Sequence, residues 1–374
     1  MADADRISPF EHYLALGSFR TWLRLLRDSG GIDREFLARA TFLTTTTLLT
    51  SPLRLYERLR FDRAVRSVAV HPSPIFIVGH WRTGTTHLHN LLCQDRTLGY
   101  VSTFQAIVPG FCLAGEKTLK PLLARILGKA HPTRLIDNIP LLVDGPQEEE
   151  FAISNMSPHS WLHLYTFPRR ASCLFDRYAL SDDLPAKSAT EWAETYLTFL
   201  RKATLRAGGR RLVLKNPANG GRIKQLLELF PHARFIYMVR NPYDLFPSMM
   251  WVYRILLPGS QVQRIDQAQI EAHILQSSAR LMRRFSGDRA LIPAGHLVEV
   301  RFEELERAPL EQMRKVYNGL SLPGFAQAEP AFRAYLASIE GYQKNRYKPN
   351  GEIIDKVNRH WGFVFDEWGY TRCQ

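Results

Sequence analysis

From residue 75 onward, the hydrophobic pattern alternates between short unbroken runs and positions three or four apart. Ile75-Phe-Ile-Val78 reads as a buried strand, and Leu88, Leu91 and Leu92 after it share one face of a helix. Residues 191–205 carry Trp192, Tyr196, Leu200 and Ala203 on one helical face. Leu212-Val-Leu214 is a second strand, and 221–230 a helix stopped by Pro231. Arg234-Phe-Ile-Tyr-Met-Val-Arg240 is a third strand, and Pro242 opens the helix after it, a favoured first position. A fourth strand is predicted at 297–302, with helical patterns at 309–319 and 328–340. Strands separated by helices argue for an α/β fold with a doubly wound parallel sheet flanked by helices. Ligands of such sheets bind beyond the carboxyl ends of the strands.

The first 70 residues differ. They read as helices, punctuated at Gly30-Gly31 and Ser51-Pro52, and His71-Pro-Ser-Pro74 is a linker signal. The expected organisation is an N-terminal helical extension over 1–72 and the α/β domain over 73–374. Residues 36–55 are apolar with small hydroxyls, and Arg54, Arg58, Arg60, Arg63 and Arg66 follow closely. A helix lying on a membrane reads this way. So does a helix packed on the main domain or on a second subunit. Residues 100–187 are loop-rich and aromatic, punctuated by Pro109-Gly110, Gly145-Pro146 and Ser157-Pro158.

The chain has 374 residues, and its 45% hydrophobic and 23% charged content is ordinary globular composition. Its formal charge of +13 suits an anionic ligand, nucleic acid or membrane. No like-charge run or aromatic-basic interleaving marks a nucleic-acid face, so no nucleic-acid partner is expected. Cys93, Cys112, Cys173 and Cys373 form no close pair, which argues against both a zinc site and a disulfide framework. The opening Met-Ala-Asp-Ala-Asp-Arg does not read as a secretory leader, and no run of 18 apolar residues predicts a spanning helix. A cytoplasmic location follows as the expectation, with membrane association through 36–66 as an addition to it.

Chemistry concentrates between the first strand and its helix. Gly79, four residues, then Gly84-Thr85-Thr86 is the spacing of a phosphate-cradling loop. Glycine lets the main chain approach an anion closely, and the N–H groups opening the next helix point at it. Thr85 stands where the triphosphate-binding version has lysine, and Arg82 lies inside the turn. A loop without that lysine fits a phosphorylated donor other than a nucleoside triphosphate. His80 is a candidate base or positioning group. His87 and His89, two residues apart on a helix, do not share a face, so no metal site is expected.

Two further groups lie past strand ends. Arg240 leaves the third strand and Ser248 follows six residues after Pro242. A guanidinium fork and a hydroxyl suit a phosphate monoester; alternatively Arg240 pairs with Asp244. Lys215, with Asn216 and Pro217, follows the second strand and could reach a transferring group. Gly145-Pro-Gln-Glu-Glu-Glu150 opens a helix, where any one carboxylate could simply serve the helix dipole. Three adjacent glutamates cannot share a face, so at least one turns inward, where burial can make it a base.

Together these segments resemble the P-loop sulfotransferase superfamily, in its bacterial-type branch near tyrosylprotein sulfotransferases. The likeness covers roughly 73–250. It rests on 75–86, on Leu214-Lys-Asn-Pro217, and on Phe230-Pro-His-Ala-Arg-Phe-Ile-Tyr-Met-Val-Arg-Asn-Pro-Tyr-Asp244. The resemblance implies that His80, Trp81, Arg82, Thr83, Gly84, Thr85 and Thr86 form the 5′-phosphosulfate loop. It implies that Arg240 and Ser248 hold the 3′-phosphate of 3′-phosphoadenosine 5′-phosphosulfate. Arg82 takes the place of the catalytic lysine of cytosolic members, and Glu148 or Glu149 supplies the base. Gln343-Lys-Asn-Arg-Tyr347 is the nearest candidate for the last donor-binding loop.

The implied reaction is in-line displacement at sulfur onto an acceptor hydroxyl, with Lys215 assisting Arg82 and no metal required. Aromatic residues at 151–167, with Trp251 and Tyr253, suggest a small-molecule or lipid acceptor, or else simply core. The alternatives are an ATP-dependent small-molecule kinase on the same fold, which needs magnesium ligands, and a non-catalytic nucleotide- or lipid-binding module.

Overall fold

Five short apolar runs line up side by side in the computed structural model of the protein. Ile75–Gly79 (β1), Leu98–Tyr100 (β2), Arg211–Lys215 (β3), Arg234–Val239 (β4) and Leu297–Arg301 (β5) form a parallel sheet in the order β2-β3-β1-β4-β5. Every residue of β1 is buried, which is why its run is unbroken rather than alternating. Ile75 and Ile77 face one way, joining Leu88, Leu91 and Leu92 of the helix Thr85–Leu92 in a core with Ile236, Met238 and Val300. Phe76 faces the other way, its ring centroid 5.5 Å from that of Phe235. Further along that face, Tyr237 of β4 stacks on Phe285 with centroids 3.6 Å apart. Helices therefore cover both faces, as the α/β pattern predicts.

The structure describes residues 12–130, 133–134, 136–137, 139–341, 347 and 349–373. The expectations placed on residues 1–11 and on 343–346 lie outside these. The chain divides into two units: Met1–Val70, Val101–Gly209 and Val252–Ile270 form one, and His71–Tyr100, Arg210–Trp251 and Glu271–Gln374 the other. The sheet belongs wholly to the second. β2 and the helices within Gln267–Asp288 and Gly351–Trp368 are elements the sequence pattern did not single out.

The first unit is helical around its own core of Leu14, Trp22, Leu25, Leu43, Phe167 and Val262. Its N-terminal helices are Phe19–Asp28, Leu37–Leu49 and Ser51–Ser67. Ser18 caps the first, accepting from the Thr21 amide, and Trp22 donates its indole N–H to Thr44 at 2.8 Å. In the third, Glu57 is buried and satisfied three ways: by the amides of Leu113 and Ala114 and by Lys202 Nζ at 2.5 Å. Such a pair holds its geometry because losing either partner strands a buried charge. Among the described residues no helix is long and apolar enough to cross a membrane.

Candidate active site

The predicted loop sits at the carboxyl edge of the sheet. β1 ends at Gly79, whose φ of 145° belongs to glycine; a Cβ there would collide with the Met238 carbonyl oxygen of β4. Arg82 adopts φ 70°, a left-handed conformation that non-glycine residues rarely take. The turn is pinned from within: the Thr83 hydroxyl donates to the His80 carbonyl at 2.6 Å. Gly84, at φ 85°, is the N-cap of Thr85–Leu92, and no side chain caps that helix. The first N–H groups of a helix lack intrahelical partners, so this end offers donors to an anion.

Three distant residues converge on this loop. Arg82 Nε donates to Ser248 Oγ at 2.9 Å, across 166 positions of sequence. Arg240, one residue beyond β4, donates to the Arg82 carbonyl at 2.9 Å, and so helps hold the strained residue. Its guanidinium lies 4.5 Å over the Phe302 ring. Burial pulls this arginine below its ordinary pKa, and the nearby Asp244 opposes that. The Asp244 pair is itself present but loose, at 3.8 Å. Lys215, the last residue of β3 and almost fully buried, reaches Thr86 Oγ1 at 3.3 Å. His80, Trp81, Arg82, Thr83, Gly84, Thr85, Thr86, Lys215, Arg240 and Ser248 thus all lie in the sheet unit, with contacts linking the loop to the other three.

Phe302 was not legible beforehand. It follows β5, supports Arg240, and fills the space a Cβ on Gly84 would need. The only sequence signal for it is its place at a strand end. Glu303 beside it accepts from the Asn241 amide at 2.9 Å, which anchors the turn after β4.

His80 is buried and its Nδ1 lies 2.8 Å from the Trp81 carbonyl oxygen. Its Nε2 is buried without a hydrogen-bond partner. Burial lowers its pKa to about 4, so the ring is neutral near pH 7. Among the described residues no group of three or more His, Cys, Asp or Glu side chains could hold a metal ion.

The acidic run lies in the other unit. Glu148 is the N-cap of Glu149–Met156. Glu149 is 0% exposed and accepts the Tyr196 hydroxyl at 3.0 Å. Glu150, also fully buried, accepts the Ser160 hydroxyl at 2.6 Å. Glu148 remains 9% exposed. All three are buried, and two are built into core hydrogen bonds. Nearby Trp161, Tyr165, Phe167 and Tyr253 are buried too, which makes them core.

Comparison with known proteins gives one consistent class. The profile of the sulfotransferase family matches residues 74–327. An omega-hydroxy-beta-dihydromenaquinone-9 sulfotransferase, Stf3, of Mycobacterium bovis is 31% identical over 356 residues, 95% of this chain and 90% of that protein. Its Mycobacterium tuberculosis counterpart matches equally. Two solved structures share the fold: sulfotransferase STF9 of Mycobacterium avium, with TM-score 0.70 and 22% identity over 96% of this chain and 91% of that one, and sulfotransferase STF1 of M. tuberculosis H37Rv, with TM-score 0.68 and 19% identity over 95% and 94%.

Proposed function

Because the chain belongs to the sulfotransferase family, and is an enzyme of that class, we propose that it transfers the sulfuryl group of 3′-phosphoadenosine 5′-phosphosulfate to a lipid hydroxyl. The observation that carries the donor assignment is the uncapped helix start at Thr85, ringed by Arg82, Lys215, Arg240 and Ser248. These residues fit the donor's chemistry. Main-chain N–H groups and two threonine hydroxyls suit the 5′-phosphosulfate, and the buried guanidinium with Ser248 suits an isolated 3′-phosphate. The orphaned Nε2 of neutral His80 offers one more polar contact in the loop.

The acceptor oxygen forms its bond to sulfur as the bond from sulfur to the donor's phosphate oxygen breaks. Adenosine 3′,5′-bisphosphate departs, and the hydroxyl proton passes to a carboxylate. Glu148 is the base in this reading, because it is the most exposed of the three, whereas Glu149 and Glu150 are fully buried and accept the Tyr196 and Ser160 hydroxyls inside the core. Arg82, the loop amides and Lys215 stabilise the charge on the sulfuryl and leaving oxygens. One such donor contributes about 3–4 kcal/mol. The support for a lipid acceptor is the Stf3 relative, whose name gives it a menaquinone derivative as substrate. Peripheral membrane contact through 36–66 would bring the enzyme to such a molecule.

Titration calorimetry with adenosine 3′,5′-bisphosphate and with ATP-Mg tests the donor. The bisphosphate is expected to bind and ATP-Mg to bind far more weakly. Tight ATP-Mg binding with no response to the bisphosphate would replace this reading with a kinase. Screening hydroxylated lipids, phenols and sugars with labelled donor identifies the acceptor, and exclusive transfer to a sugar would defeat the lipid assignment.

A further inference from the structure

We propose that the outward face of the helices Leu37–Leu49 and Ser51–Ser67 docks the enzyme on an anionic lipid bilayer. This surface deepens the lipid-acceptor reading, but stands on its own observations. The inner faces of the two helices are accounted for: Arg39, Ala40, Leu43 and Thr47 are buried on the first, and Glu57 and Val65 on the second. The opposite face is apolar and open. Leu49 is 71% exposed, Leu55 57%, Tyr56 58% and Leu59 79%. Across residues 37–57 no charged side chain is exposed, since Arg39 and Glu57 are buried and the half-buried Arg54 donates to the Leu16 and Thr47 carbonyls.

Thr41 and Thr45 are the exposed threonines of the first helix, and the others are buried or half-buried. The hydroxyls of Thr44, Thr46, Thr47 and Thr50 each donate to the carbonyl four residues back, so their polarity is spent inside the helix. Charge then appears abruptly. Arg58, Arg60, Arg63 and Arg66 are all exposed on the last turns. Arg58 and Arg66 also border a groove of about 770 Å³ lined by further basic groups, Arg201 and Lys202, and by Asp62 and Glu194. An apolar stripe ending in a cluster of arginines matches one partner class, a plane that is apolar within and negatively charged at its surface. A second copy of the chain fits less well. The acidic group available on that end of the helix is Asp62, already paired with Arg66 at 2.6 Å.

Vesicle flotation tests this with the full chain. Phosphatidylcholine vesicles with added phosphatidylglycerol should carry the protein up the gradient, and pure phosphatidylcholine vesicles far less. Leu55→Gln/Leu59→Gln should reduce partitioning about tenfold or more. Arg60→Gln/Arg63→Gln should reduce it on anionic vesicles only, and added salt should do the same. Thermal melting and bisphosphate binding of each variant should match the parent, since none of these residues lies in a core or in the loop. The proposal is overturned if the parent ignores anionic vesicles or if the variants float equally well. It is also overturned if light scattering shows a parent dimer that the leucine variant splits into monomers, which would make a second copy the occupant. Flotation uses neither donor nor acceptor. Failed sulfuryl transfer with intact flotation would therefore strike the reaction assigned above and leave this surface standing.

Discussion

In the proposed reaction, the loop at 79–86 and the acidic run at 148–150 would reach their chemistry by opposite routes. The loop works through its main chain: Gly79, Arg82 and Gly84 all take positive φ, and the helix start is left without a side-chain cap. The loop is then steadied by contacts from far along the sequence, Arg82 donating to Ser248 Oγ and Arg240 to the Arg82 carbonyl. The acidic run works only through side chains, and packing sorts three identical residues into different jobs. Glu149 accepts the Tyr196 hydroxyl, Glu150 accepts the Ser160 hydroxyl, and Glu148 is the N-cap of the helix. A backbone site is announced by its spacing, whereas the choice among adjacent carboxylates is made by their neighbours.

Glu148→Gln is the sharpest test of that sorting. It should lower turnover by about 10²–10⁴-fold, the range of a lost general base, while bisphosphate binding and melting temperature hold. Glu149→Gln should instead cost about 1–2 kcal/mol of stability through the weakened Tyr196 bond, read as a lower melting temperature. If Glu149→Gln silences transfer in a stable protein and Glu148→Gln does not, the two roles are exchanged. On the loop side, Arg82→Ala should cost about 10²–10³ in kcat with labelled donor. Unchanged turnover would remove Arg82 from the chemistry.

Arg240→Ala should act on the donor alone, raising its KM by about 10- to 100-fold with the acceptor KM little changed, as expected for a lost buried charge contact. A separate test comes from pH and reads stability rather than turnover. Burial lowers His12 to about 3 and His80, His163 and His273 to about 4, from the usual 6.5. Each binds a proton more readily unfolded than folded. Their contribution to stability is therefore complete above pH 6.5 and is lost as pH falls toward 4. The slope is about 1.4 kcal/mol per pH unit for each histidine. Melting temperature followed from pH 7 to 5 should fall, and His163→Gln should flatten the fall. A flat profile in the parent would mean that these rings are not buried neutral.

Much of the sheet unit was legible because parallel strands buried on both faces must be unbroken apolar runs, and β1, β3 and β4 are such runs. β2 was not, because Leu98-Gly-Tyr100 has three residues and a central glycine. The helix Gln267–Asp288 carries serines and a histidine among its buried positions, which blurs its periodicity. In the candidate site, Lys215 and Arg240 were readable at strand ends, Arg82 within the loop, and Ser248 in the helix after β4. Phe302 was not, since nothing in its neighbours marks a ring that will lie under a guanidinium 62 positions earlier.

The order of residues by itself determined the parallel sheet, the loop that breaks from its central strand, and the set of charged groups set at strand ends. Those are local matters, fixed by which residues tolerate positive φ and which side chains must leave water. Only the tertiary structure decided that Arg240 braces the loop on Phe302, that Ser248 meets Arg82, that two of three glutamates belong to the core, and that Leu55, Tyr56 and Leu59 stay outside it. Each of these depends on what lies across space, and spacing along the chain does not encode that.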